Sequence, residues 1–344
     1  MMNQKKGNRK PKIVIIGGGT GLPVILNGLR AKKADVTAVV TVADDGGDSG
    51  SLRQELNAVP PGDLRNVLVS LSHLTKVQKE LFQYRFDKTE NGSLGGHSVG
   101  NLLISAMAEM KGNIYEAVQL MSKMMLVEGH VYPACEEPVE LHARYKDGTT
   151  ASGESVIAKH RKEIEEVYVT CQNRTKKPLA ARKVVSAILN ADMVVLGPGS
   201  LYTSILPNLM VPEIGEAVLK TKANVVYICN IMTQLGETEN FTDADHIDVL
   251  HEHMKRPFLD TVLVNNGEVP ENYMDQEKYN EYLVQVQHDF KKLKSEVPMI
   301  ISSNFLKLEN NGVFHDGEKV VEELFKMSFD AQYSGRRTPQ AGTV

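Results

Sequence analysis

Four loops in this chain carry residues whose types and spacing suit one chemistry, the holding of a phosphorylated nucleoside. The first is Gly17-Gly18-Gly19-Thr20-Gly21, which follows the apolar run Ile13-Val14-Ile15-Ile16. Glycine takes positive φ without a Cβ clash and lets backbone N–H groups come close to phosphate oxygens. Gly18, Gly19, Thr20 and Gly21 are therefore candidates to hold a diphosphate. The second loop, Ala43 to Gly50, crowds Asp44, Asp45 and Asp48 among glycines. Such carboxylates accept ribose hydroxyls or hold a magnesium ion between phosphates, although the same composition also makes a solvated turn.

The third loop is Pro60-Pro61-Gly62-Asp63-Leu64-Arg65-Asn66. Asp63 reads as the N-cap of a helix reaching about Leu74, with Arg65 and Asn66 in its first turn, where free N–H groups favour an anion. Arg65 suits a bidentate clamp on a diphosphate, or an ion pair with a nearby carboxylate. Gly95 to Asn101 repeats the pattern, with His97 and Asn101 as ligand contacts beside a glycine turn. The fourth loop, Leu196-Gly197-Pro198-Gly199-Ser200, again follows a short apolar run, so Gly197, Gly199 and Ser200 join the candidates. Ser200 is also a natural N-cap, and the G-x-S-x-G setting of a nucleophilic serine is absent. No catalytic residue is assigned.

Neither named phosphate motif is complete. The dinucleotide fingerprint wants glycine where Leu22 stands, and the P-loop wants a Gly-Lys-Ser/Thr run that is missing. The second apolar run, Val36 to Val42, does end at Asp44-Asp45, about 20 residues on, where a Rossmann unit places its ribose carboxylate.

These loops must converge, and a parallel sheet does that, because ligands bind beyond the carboxyl ends of its strands. Ile13–Ile16 reads as a buried central strand, and Met193–Leu196, Asn224–Cys229 and Thr261–Val264 read as others. Helices are expected at about Val77–Arg85, Ser98–Met110, Ile114–Met125, Gln276–Ser295 and Gly317–Met327. A capping-box pattern, Thr242 to Asp245, opens another that ends near Pro257. Between them, Val139–Tyr145 and Thr149–Ile157 flank Asp147-Gly148, a strong hairpin signal, and Val167–Cys171 adds a strand. The expected fold is α/β, a doubly wound Rossmann-like parallel sheet with a small antiparallel β insertion. Its divisions are a tail at 1–11, core at 12–128, the insertion at 129–178, core again at 179–328, and a tail at 329–344.

The 344 residues suffice for a large core, and the net charge of −4 with interspersed signs gives no reason to expect a nucleic-acid partner. Cys135, Cys171 and Cys229 are far apart without a C-x-x-C, which suits reduced core thiols. His251 and His253 stand two apart, on different faces of a helix, so no zinc is expected. No apolar stretch approaches the roughly 20 residues of a membrane span, and Met1–Lys10 is polar and basic, so a cytoplasmic protein is expected.

The four loops, the last continued to Ser204, together with Gly96 to Asn101, Glu137-Pro138-Val139 and Asn230 to Thr238, resemble the YvcK branch of the YvcK/CofD-like family over about Lys12 to Met327. The resemblance implies a bacterial gluconeogenesis factor, needed for cell shape on gluconeogenic carbon sources, that binds UDP-sugars such as UDP-N-acetylglucosamine and requires no cofactor. The sister branch implies an alternative, a magnesium-dependent transferase that moves a 2-phospho-L-lactyl group from a guanosine diphosphate carrier to a deazaflavin. In that case Asp44 and Asp45 are the candidates for the metal. The chain departs from the family run Gly-Ser-Ser-Gly-Arg-Leu-Arg at Asp48 and Ser51. It also carries Arg65 where the transferase branch is acidic, and a cation there favours a metal-free diphosphate. A homo-oligomer and a protein partner both stay open.

Overall fold

The computed structural model describes residues 9–19, 21–43, 45, 61–88, 94–173 and 175–329. The first half runs β1 (Lys12–Gly17), α1 (Leu22–Ala31), β2 (Asp35–Val40), α2 (Gly62–Leu71), α3 (Lys76–Gln83), α4 (Val99–Lys111), α5 (Ile114–Met124) and β3 (His130–Pro133). A three-stranded excursion follows, made of β4 (Val139–Tyr145), β5 (Thr150–Ser152), the one-turn α6 (Glu154–Ile157) and β6 (Ile164–Cys171). The chain then continues through α7 (Arg182–Leu189), β7 (Met193–Leu196), a π-helical turn at Leu201–Ile205, α8 (Leu206–Leu209), α9 (Pro212–Lys220), β8 (Asn224–Ile228) and β9 (Met232–Gln234). Last come α10 (Asp243–His253), β10 (Thr261–Asn265), β11 (Tyr282–Gln285), α11 (Phe290–Glu296), β12 (Met299–Ser303), β13 (Leu306–Glu309), β14 (Gly312–His315) and α12 (Gly317–Phe329).

Seven strands form one sheet in the order β12-β10-β8-β7-β1-β2-β3, and every pairing in it is parallel. The winding starts at β1, runs outward through β2 and β3, returns to β7 on the other side, and runs outward again. Connections between parallel strands are right-handed almost without exception, so crossovers in the two directions put helices on both faces, in keeping with the near-complete burial of Ile13 to Ile16. The reversal leaves the carboxyl ends of β1 and β7 side by side with their connections leading apart. That split is the switch point where doubly wound sheets open a crevice.

Local chemistry explains the helices that flank it. Leu22, Ile25, Leu26 and Leu29 recur at helical spacing and bury one face of α1, which packs against α2 and α12. Ser98 caps α4 and Asn113 caps α5, each side chain accepting an N–H from the first turn. Thr242 and Asp245 make the expected capping box at α10. Among the described residues no helix is long and apolar enough to cross a membrane. The three cysteines are buried free thiols.

Four expectations are corrected. His130–Pro133 pairs in parallel with β2 and is the edge of the main sheet, so the antiparallel sheet β5-β4-β6 begins only at Val139. The Asp147-Gly148 hairpin forms, but its second strand stops at Ser152, because Gly153 turns at φ +95 and α6 begins. The stretch Gln276–Ser295 is not one helix. Asp275 folds back on the N–H groups of Glu277 and Lys278, Tyr282–Gln285 pairs with β9, and Asp289 caps the short α11. The helix at Asp63 has Pro61 as its N-cap residue, with Asp63 inside its first turn.

Candidate functional site

A cleft of about 1040 Å³ lies at the switch point, and the first and fourth glycine loops form its base. The two loops touch backbone to backbone. A Cβ on Gly17 would come 3.3 Å from the Pro198 carbonyl oxygen, one on Gly21 2.9 Å from Pro198 Cγ, and one on Gly199 3.3 Å from the Gly18 carbonyl oxygen. Glycine suits both sides because the turns close on each other. Gly19 differs: its φ is +75, and a Cβ there would meet nothing within 4 Å.

Gly18, Gly19, Gly21, Asp63, Gly199 and Ser200 all line this cleft, and Gly197, at φ +92, carries the chain into it. Ser200 does not cap a helix with its side chain. Its hydroxyl instead accepts from Gln234 Nε2 at 2.9 Å, and Gln234 Oε1 accepts from Asn230 Nδ2 at 3.3 Å. This amide relay sets the floor of the cleft. Thr20 and Asp44 lie outside the described residues.

Other candidates stand apart. Arg65 is buried, and its guanidinium donates to the Ser98 hydroxyl, to Asn101 Oδ1 at 3.1 Å and to Asn66 Oδ1 at 3.1 Å. Gly100 admits it, since a Cβ there would sit 2.7 Å from Arg65 Cδ. With Asn66, Ser98 and Asn101 it therefore ties α2 to the start of α4, and Arg65, Asn66, His97 and Asn101 do not line the cleft. Asp45 Oδ1 accepts the Ser155 N–H at 2.8 Å, which anchors α6 of the insertion to the loop after β2. Among the described residues no group of three His, Cys, Asp or Glu side chains is placed to hold a metal ion.

The opposite wall comes from residues outside the sequence-based candidates. The hairpin β13–β14 supplies Lys307, Glu309, Phe314 and His315, Tyr282 comes from β11, and Glu154 from α6. The signal for that hairpin is Asn310-Asn311 between two alternating runs, and both take the positive φ, 51 and 55, that a tight two-residue turn needs. Carboxylates prevail on these walls, with Asp63, Glu154, Glu281, Glu309, Asp316 and Glu318 against Lys307. Lys307 pairs with Glu309 at 2.7 Å, but both are half exposed, so the pair adds little stability. Burial holds the His315 imidazole below its usual pKa, and its Nε2 lies 3.0 Å from the Cys229 carbonyl oxygen.

Paired glycine turns at the switch point of a doubly wound sheet define an α/β protein with a cleft at the strand ends, where such sheets bind their ligands. The chain belongs to the CofD family, whose sequence model, described as 2-phospho-L-lactate transferase CofD, matches residues 13–306. Relatives named as gluconeogenesis factors include one from Bacillus subtilis, 46% identical over 92% of this chain and 98% of its own length. Another, from Streptococcus pneumoniae, is 55% identical over 93% of this chain and 98% of its own. A crystal structure of a UPF0052-family protein from Bacillus halodurans superposes with a TM-score of 0.86 at 42% identity, covering 91% of this chain and 99% of that one.

Behind the floor, Glu237 accepts from the Thr203 hydroxyl at 3.3 Å, while its Oε2 is enclosed without a hydrogen-bond partner among the described residues. Burial pushes this carboxyl up from the ordinary 4.5 to about 7. Between those values the folded protein keeps a proton that the unfolded chain has lost, so stability falls as pH rises through the window. Glu237→Gln is therefore expected to melt above the wild type at pH 8, with the gap closing near pH 4.5. Equal melting at pH 8 contradicts this.

Proposed function

We propose that the protein is a cytoplasmic regulator of the gluconeogenesis-factor kind, which binds a UDP-sugar such as UDP-N-acetylglucosamine in the switch-point cleft and links carbon metabolism to cell shape. The observation that carries the reading is the open side of Gly19: a positive-φ glycine with nothing within 4 Å of where a Cβ would stand lets a diphosphate come up to the backbone of the turn. Tyr282 and Phe314 give aromatic surface for a base or sugar ring, and the amide relay at Asn230, Gln234 and Ser200 gives polar partners for hydroxyls. Asp44 keeps its proposed place at the ribose. Arg65 supports the site from behind by holding α2, whose first turn carries Asp63.

The family description, 2-phospho-L-lactate transferase, favours a second reading; the resemblance to the sister branch fills it in as transfer from a guanosine diphosphate carrier with magnesium. The regulator is preferred because relatives at 46% and 55% identity over nearly the whole chain are named as gluconeogenesis factors. Asp45, one of the two proposed magnesium ligands, also has one oxygen committed to α6.

Thermal unfolding with UDP-N-acetylglucosamine, UDP-glucose, GDP and NAD, with magnesium and with chelator, separates the readings. UDP-sugars at 100 times their dissociation constant are expected to stabilise by about 2.7 kcal/mol, and GDP and NAD by less. Equal shifts for all four, or a preference for GDP with a strict magnesium requirement, would overturn the regulator. Gly19→Val locates the site, with Gly112→Val as its control, because Gly112 also has open space and a φ of +77, at the end of α4. Both variants are expected to lose about 1–2 kcal/mol from backbone strain. Only Gly19→Val should lose the UDP-sugar shift, and a retained shift contradicts the placement.

A further inference from the structure

The N–H that a diphosphate would seek first already has an anion on it. Asp63 Oδ2 accepts the Gly19 N–H at 2.7 Å, reaching across from the first turn of α2. The approach is built in at Gly18: a Cβ there would sit 2.5 Å from Asp63 Oδ2 and 2.6 Å from Thr41 Cγ2. Gly18 thus gives room to the carboxylate, whereas Gly19 faces the cleft.

We propose that Asp63 determines ligand specificity in the cleft as an internal competitor for the Gly19 N–H, one that an entering phosphoryl group must displace. The inference rests on the diphosphate reading given above. A phosphate oxygen in hydrogen-bond range of this N–H would occupy the place of Asp63 Oδ2, and two anions cannot share one donor at contact distance. The displaced carboxylate stays favourably placed, because it remains beside the positive end of the α2 dipole. A ligand with one phosphoryl group offers a single new contact against that displacement. A diphosphate offers contacts to both glycine turns at once, so the competition selects for the second phosphoryl group. The walls act in the same direction, since Glu154 and Glu281 also repel an anion that gains too few donors.

Calorimetric titration in chelator, with UDP-N-acetylglucosamine, UMP and inorganic pyrophosphate as probes, tests this on the wild type, Asp63→Asn and Asp63→Ser. Asparagine still accepts from the Gly19 N–H but carries no charge, and serine is too short to reach it, so the pair also guards against one variant failing to fold. Both variants are expected to bind UDP-N-acetylglucosamine and pyrophosphate at least tenfold more tightly than the wild type, and to narrow the preference over UMP. Unchanged or weaker binding by the variants, with the wild type binding normally, overturns the role of Asp63 and leaves the UDP-sugar reading standing. No binding of UDP-N-acetylglucosamine by any of the three proteins overturns the UDP-sugar reading itself, and the inference with it.

Discussion

The close approach of two backbone turns, Gly17 to Gly21 after β1 and Gly197 to Gly199 after β7, is the constraint on which the rest depends. The contacts at Gly17 and Gly199 bring main-chain atoms of the two turns close together, and Gly21 packs on the Pro198 ring, so the two halves of the sheet meet with little room for side chains between them. Main-chain atoms are the least variable way to position donors, because their placement does not depend on a rotamer. The sheet order serves this contact: only the strands on either side of the reversal bring two such turns together at the carboxyl edge.

Around that base the walls come from distant parts of the chain. The insertion reaches the cleft through α6, held by the Asp45 carboxylate, and thereby presents Glu154. The hairpin β13–β14 presents Lys307 and Phe314 from the other side. The walls carry more negative than positive charge, so an anionic ligand must gain its affinity from directed backbone and amide donors. Asp63 fits this balance, since it accepts the Gly19 N–H at the base of the cleft.

The sheet was legible because a strand buried on both faces reads as an unbroken apolar run, as at Ile13–Ile16 and Met193–Leu196. Capped helix starts at Ser98 and Thr242 were legible for a similarly local reason. The convergence of the two glycine loops followed from topology. What sequence could not show was the fate of individual charges. Arg65 meets Ser98 across 33 residues and Asp45 meets Ser155 across 110, so nothing in their own loops marks them as structural. Gln276–Ser295 misled because polar and apolar residues alternate there ambiguously, and pairing with β9 decided the outcome.

Hydrogen–deuterium exchange with and without UDP-N-acetylglucosamine tests the central claim, that a diphosphate is held by backbone N–H groups of the two interlocked turns. The account predicts slower exchange on binding in the segments Gly17–Leu22 and Leu196–Tyr202 together. The β4–β6 sheet of the insertion, whose strands do not line the cleft, should stay unchanged. Protection confined to the insertion, or binding that leaves both turns exchanging as before, would contradict it.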